Sequence, residues 1–251
     1  MHHLLTASLL LLTITSNAQR VAHVVVALCD NKYQGIVKVP AGIGNGQEPR
    51  NNLYWGAGYG VRTHFDRSAE WIRQPSVKPA VAHLLERAVW KHRDSAVYLV
   101  ADAYDGRNIR EATEDLLRYA SGAGSTTLEV SGKRIPIGGG ADLVGYVGHD
   151  GLMDFSLDKT FPAQDTKQRR TIILACISKG FFAPHLRPTG AAPLVWTTGL
   201  MAPEAYTLKA ALEGWVAHET DAAVRERAAK AYDQYQHCGI NGARRLLVTG
   251  W

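Results

Sequence analysis

A chain of 251 residues, 46% hydrophobic and 20% charged, is long enough for one globular domain with a sizeable core and too apolar for a disordered segment. Its formal charge of +5 is scattered, with Arg169-Arg170 and Arg244-Arg245 the tight basic pairs worth noting. Nucleic-acid binding needs a concentrated basic face, so nucleic acid is not an expected partner.

The first 18 residues have the pattern of an export leader. Met1-His2-His3 precedes an apolar run from Leu4 to Ile14, and Ser16-Asn17-Ala18 is a small-x-small cleavage site. That run is too short to span a bilayer, which takes about 20 residues. Cleavage near Ala18 is expected, with a secreted or periplasmic product, no lipid anchor and no membrane span. Residues 19–251 are then expected to form one α/β domain.

Ala22 to Leu28 is the first predicted strand, almost wholly apolar and rich in valine. It ends on Cys29-Asp30-Asn31, so polar groups gather at its carboxyl end. Residues 32–75 are irregular and rich in Gly, Asn and aromatics, and are expected to form an ordered flap near a site. The glycines at 42, 44 and 46 could be read as a phosphate cradle. They neither follow a strand at the right offset nor open a helix, and no Lys-Ser or Lys-Thr follows.

The spacing of Val81, Leu84, Leu85, Ala88 and Val89 predicts a helix over Ser76–His92, with Pro79 in its first turn. Ala96 to Ala101 is the second core strand. Asn108 is expected to cap a helix, with Glu111 three residues on and Ile109, Ala112, Leu116, Leu117 and Ala120 facing inward. Thr126 to Ile137 is a predicted hairpin turning at Ser131-Gly132-Lys133.

Two later strands carry the chemistry. Leu143-Val144-Gly145-Tyr146-Val147 runs into Gly148-His149-Asp150-Gly151, and Thr171-Ile172-Ile173-Leu174 runs into Ala175-Cys176-Ile177-Ser178. Short continuous apolar runs suit strands buried on both faces of a parallel sheet. The carboxyl ends of such strands are where open α/β sheets place their ligands. If the two strands are neighbours, an imidazole and a thiol stand side by side, the smallest kit for covalent catalysis. A fifth strand at Pro193–Thr198 is followed by helices from Pro203 and over Asp221–His237, the latter facing inward through Val224, Ala228, Ala231 and Tyr235. A short strand or tail is expected over Arg245–Trp251. Strands alternating with helices imply a mostly parallel sheet in a three-layer α/β/α sandwich.

Three cysteines are an odd count for an exported chain. One arithmetic pairs or buries Cys29 and Cys238 and leaves Cys176 free; in another, all three are small buried apolar residues. Ten histidines occur without a His-Glu-x-x-His or Cys-x-x-Cys pattern, so neither a metal nor any other cofactor is expected. A serine hydrolase would show Gly-x-Ser-x-Gly, which the sequence lacks.

An apolar strand ending in a histidine shortly before glycine, then one ending Ala-Cys, in this order, resembles the caspase–legumain–gingipain clan of cysteine peptidases. Ala175-Cys176-Ile177-Ser178 looks most like the Ala-Cys-x-Ser of legumain-type enzymes, and Val26 to Asn31 resembles the first strand of that clan. The resemblance implies a caspase-like fold and an endopeptidase acting on a peptide or protein substrate. It makes Cys176 the nucleophile, His149 the acid and base, and the backbone amides of Gly151 and Cys176 the oxyanion donors. Asp30 or Asn31 would orient the imidazole. Asp150 and Ser178 are candidates for the substrate cleft, whereas Asp154 is expected to face water. The chain departs from the clan twice: Asp150 stands between His149 and Gly151, and Leu174 occupies a position that is acidic in legumain-type and clostripain-type enzymes. Two other readings fit the same pattern: a caspase-like module that binds without cleaving, and an unrelated α/β small-molecule or nucleotide-binding domain.

Overall fold

Runs of valine, isoleucine and leucine with no charge inside them have no stable place except between two apolar layers. That is where the central strands lie in the computed structural model, which describes residues 19–75 and 78–251. The strands are β1 (Arg20–Ala27), β2 (Trp71–Gln74), β3 (Leu84–His92), β4 (Val97–Tyr104), the hairpin β5 (Thr126–Val130) and β6 (Lys133–Ile137), β7 (Leu143–Val147), β8 (Arg170–Leu174), β9 (Ala192–Thr197) and β10 (Leu247–Val248). Eight of them make one sheet in the order β10-β9-β8-β7-β1-β4-β3-β2, with β5 and β6 paired separately. β9, β8, β7, β1 and β4 run parallel; β10 and β3 run antiparallel to them, and β2 pairs antiparallel with β3 at the edge.

Helices cover both faces: α1 (Val61–Asp66), α2 (Ile109–Ala120), α3 (Ser178–Leu186), α4 (Ala205–Val216), α5 (Asp221–Gln236) and α6 (Ile240–Leu246). The period of two along β1 sorts the layers. Ala22, Val24, Val26 and Leu28 pack in one core with Leu208, Leu212, Val224 and Ala228 of α4 and α5. Val21, Val25 and Ala27 pack in the other with Leu116 and Leu117 of α2 and Phe182 of α3. Among the described residues, no helix is long and apolar enough to cross a membrane. The expected leader, 1–18, lies outside the described residues.

The chain leaves β1 towards β4 on one side and leaves β7 towards β8 on the other. The direction of winding therefore reverses between β1 and β7, and the carboxyl-end loops there diverge and open a crevice.

Several elements differ from the sequence-based expectation. Over Ser76–His92 the expected helix is instead, from Leu84 to His92, strand β3, antiparallel to β4; residues 76 and 77 lie outside the described residues. The cause is a register shift between Leu84 and Glu86. It breaks the alternation, so Leu84 joins one core with Val89 while Leu85 packs on the other with Ala88 and Trp90. Apolar positions 84, 85, 88 and 89 then imitate helical spacing. The 32–75 stretch is not all loop, since it holds α1 and β2.

Asn108 makes no capping bond. The chain enters α2 through a 3-10 turn at Gly106–Asn108, whose leading Asp105 accepts from the Arg107 N–H. In α5 it is Tyr232 that is buried, while Tyr235 is 36% exposed. At the end of the chain, Arg245 belongs to α6 and the strand is only Leu247–Val248.

Candidate active site

β7 and β8 are adjacent and parallel, with Val147 opposite Leu174 as the last pair in register. His149 and Cys176 each stand two residues beyond that pair, so they sit level at the sheet's carboxyl edge. Parity sets their side: Val147 and Leu174 both face the core under α4 and α5, and a step of two keeps the face. Both residues line one cleft of about 410 Å³, together with Gly35, Ile36, Val37, Tyr54, Gly148, Met153, Leu200, Met201 and Pro203. Every lining segment is a loop leaving the carboxyl end of β1, β7, β8 or β9.

The imidazole is fixed from behind. His149 Nε2 lies 2.8 Å from Asp154 Oδ2, and the same oxygen accepts the Gly35 N–H at 2.9 Å. A carboxylate only accepts, so Nε2 carries the hydrogen and Nδ1 is left with its lone pair. Among the described residues Nδ1 has no protein partner. Tyr146 donates its hydroxyl hydrogen to the His149 carbonyl at 2.7 Å and pins the backbone. Gly148 is required just before it: a Cβ there would sit 2.8 Å from the Ala27 carbonyl oxygen on β1. Asp154 was expected to face water; it is exposed, and it also holds the ring. The short 3-10 turn at Gly151–Met153 brings it back onto the ring, a return that spacing along an extended chain does not reveal.

The thiol is held from the opposite side. The Met201 N–H points at Cys176 Sγ from 3.4 Å, and Sγ lies 3.6 Å from the Met201 carbonyl oxygen. Ile177, the next residue, adopts φ +50°, the left-handed region. That conformation is rare and costly for a β-branched side chain, and such strain gathers where a chain must turn sharply at a functional site. Here it converts a strand into α3 across three residues and leaves Cys176 at the corner, half-buried. Ring and sulfur make no direct hydrogen bond; unliganded sites often close that gap only around substrate.

Among the described residues, no protein acceptor takes the N–H of Cys176 or of Gly151.

The remaining candidates are placed elsewhere. Asp30 accepts from the N–H groups of Lys32 and Tyr33 and from Gln47, and Asn31 clasps Val39 through both its N–H and its carbonyl. They shape the flap, and Asp154 takes the orienting position that they were expected to fill. Asn52 ties the flap to the end of β1 by bonding both the N–H and the carbonyl of Cys29.

Ser178 is fully buried, donating to the Ile173 carbonyl and accepting from the Thr197 N–H, so it knits β8 to β9 and does not reach the cleft. Asp150 is also fully buried. Its parity turns it to the face of Tyr146, away from His149. There Oδ1 accepts the Leu152 N–H, Oδ2 has no partner, and burial, aided by the charge of Asp154, pushes the carboxyl up to about 7.

The cysteines do not pair. Cys29 is free and buried, Cys176 free and half-buried, and Cys238 free and exposed. Burial pushes the Cys29 thiol up to about 11, so it stays protonated and inert beside Tyr54. Among the described residues no group of three or more His, Cys, Asp or Glu is placed to hold a metal.

No family model matches this chain, and neither a curated protein nor a solved structure matches it.

Proposed function

We propose that this chain is a cysteine endopeptidase of caspase-like fold that cleaves through a thioester on Cys176 with His149 as acid and base. One observation carries the reading: two in-register parallel strands deliver a thiol and an imidazole to the same edge, the same face and the same cleft.

His149 Nδ1 takes the thiol proton as Sγ attacks the scissile carbonyl. The N–H groups of Cys176 and Gly151 meet the oxyanion that forms, and preorganised donors of this kind contribute roughly 3–4 kcal/mol each to lowering the barrier. The tetrahedral adduct collapses, the C–N bond breaks, and the leaving amine takes its proton from His149. Water then gives a proton to His149 and attacks the thioester, releasing the acid and restoring the thiol. Asp154 keeps Nε2 protonated and the ring in place throughout. The leader-like residues 1–18 make the site of action secreted or periplasmic.

The exposed apolar rim of the cleft favours one other reading, a module of the same fold that holds a peptide without cutting it. Incubation with a mixture of unstructured peptides separates the two. Cleavage that disappears in Cys176→Ala and in His149→Ala, each with unchanged circular dichroism, supports the peptidase. Retained peptide binding with no cleavage by the natural chain supports the module.

A further inference from the structure

The cleft has a chemical bias that the dyad does not explain. Ile36 and Val37 reach it from the loop after β1, Met153 from the turn after β7, and Leu200, Met201 and Pro203 from the loop after β9. Val37 is 92% exposed, Leu200 71% and Met153 40%. Isolated apolar side chains on a surface are ordinary. Three that converge on one cleft from three separate loops form the kind of patch that marks a binding surface.

Charge is missing from the same walls. The titratable lining residues are Tyr54, His149 and Cys176. Burial holds the Tyr54 hydroxyl well above its usual range, so it stays neutral. Close to the lining residues, Asp154 is committed to His149 and Gly35, Asp30 to its own turn and Glu204 to the Tyr206 hydroxyl, while Lys38, next to Val37, is exposed to water. Lys32 lies over the Tyr33 ring. A Lys, Arg or Asp side chain entering this space would give up its water and find no counter-charge among the lining residues. An apolar side chain would shed water from itself and from the rim together.

Resting on the peptidase reading, we propose that the residue supplying the scissile carbonyl carries an apolar side chain of about leucine or methionine size, seated against Val37, Met153 and Leu200. Met153 and Met201 are flexible and polarisable, which suits a wall that accepts several apolar shapes. The cleft volume of about 410 Å³ is enough for one such side chain and its flanking backbone.

The test uses acetylated tripeptide chloromethyl ketones that differ only in their last residue: Leu, Met, Lys or Asp. Cys176 sulfur displaces chloride and forms a thioether, and intact-protein mass spectrometry followed by peptide mapping gives its rate. The Leu and Met probes are expected to modify Cys176 at least about 10-fold faster than the Lys and Asp probes. Leu200→Lys, on an exposed position, is expected to narrow the gap between Asp and Leu. A Lys or Asp probe that labels Cys176 as fast as the Leu probe overturns the apolar preference and leaves the dyad standing. If no probe modifies Cys176 while iodoacetamide does, the peptidase reading falls and the specificity falls with it.

Discussion

Asp154 is the residue on which the geometry of His149 depends, because one of its oxygens serves the imidazole and the flap at once. Asp154→Ala frees the ring to rotate and unties Gly35. Misplacing a reacting group by about 1 Å costs on the order of 100-fold in rate, so kcat of the proposed peptidase is expected to fall by about that factor while urea denaturation shows a small change. Asp150, next to the same histidine, makes a prediction of another kind. Its folded carboxyl sits near 7, above the ordinary value of about 3.9, so the native state keeps the proton longer than the unfolded chain. Its contribution to stability is therefore full below about pH 4, declines as pH rises to about 7, and is level above that. Asp150→Asn keeps the acceptor for the Leu152 N–H and removes the titration. Denaturant melts across pH 4 to 8 are expected to show the variant gaining on the natural chain by a few kcal/mol over that window. A difference independent of pH contradicts the assignment.

At the scale of elements, the sheet was legible where burial is two-sided. The cores of β1, β4, β7, β8 and β9 were readable from uninterrupted apolar runs, and their carboxyl ends pointed to His149 and Cys176. β3 was not, because its bulge places apolar residues at helical spacing. Nor was α3, whose sequence Ser178-Lys179-Gly180-Phe181-Phe182-Ala183-Pro184 carries a glycine and a proline that argue against a helix locally. Its start is imposed by the left-handed Ile177 and by packing against β9. Asp154 was hidden for a similar reason: a 3-10 turn folds it back over a distance that only tertiary structure defines. Two substitutions separate positioning from stability here. Gly148→Ala would drive a Cβ against Ala27 of β1 and is expected to lower both stability and kcat. Ser178→Ala removes the buried hydroxyl that joins the Ile173 carbonyl on β8 to the N–H and hydroxyl of Thr197 on β9 and is expected to cost about 1–3 kcal/mol in denaturation while the folded fraction keeps its activity.

Across the whole molecule, a buried charge network ties β1, β3 and β4 together apart from the residues that line the cleft. Asp102 on β4 is fully buried, bonded to Arg87 on β3 through both oxygens and to His23 on β1 at 3.0 Å. The Gly138 N–H donates to His23 Nδ1 at 2.9 Å, which leaves the hydrogen on Nε2, facing Asp102. Burial alone would raise the Asp102 carboxyl; the bonds from Arg87 and His23 outweigh it and hold the group below its ordinary value. That contribution is present above about pH 4 and is lost as acid titrates the folded carboxyl. Arg87→Met leaves a buried charge without its strongest partner and is expected to cost about 3–5 kcal/mol, read by urea denaturation, with little change in kcat for folded protein.

The proposed chemistry stands on His149 acting on Cys176, and the chain contains its own control. If the three free thiols reacted by exposure alone, iodoacetamide would label Cys238 first, Cys176 second and buried Cys29 last. Time-resolved labelling at pH 6, mapped by peptide mass spectrometry, is expected to show Cys176 ahead of Cys238 in the natural chain and behind it in His149→Ala. Labelling in order of exposure in the natural chain, unchanged by His149→Ala, contradicts the dyad.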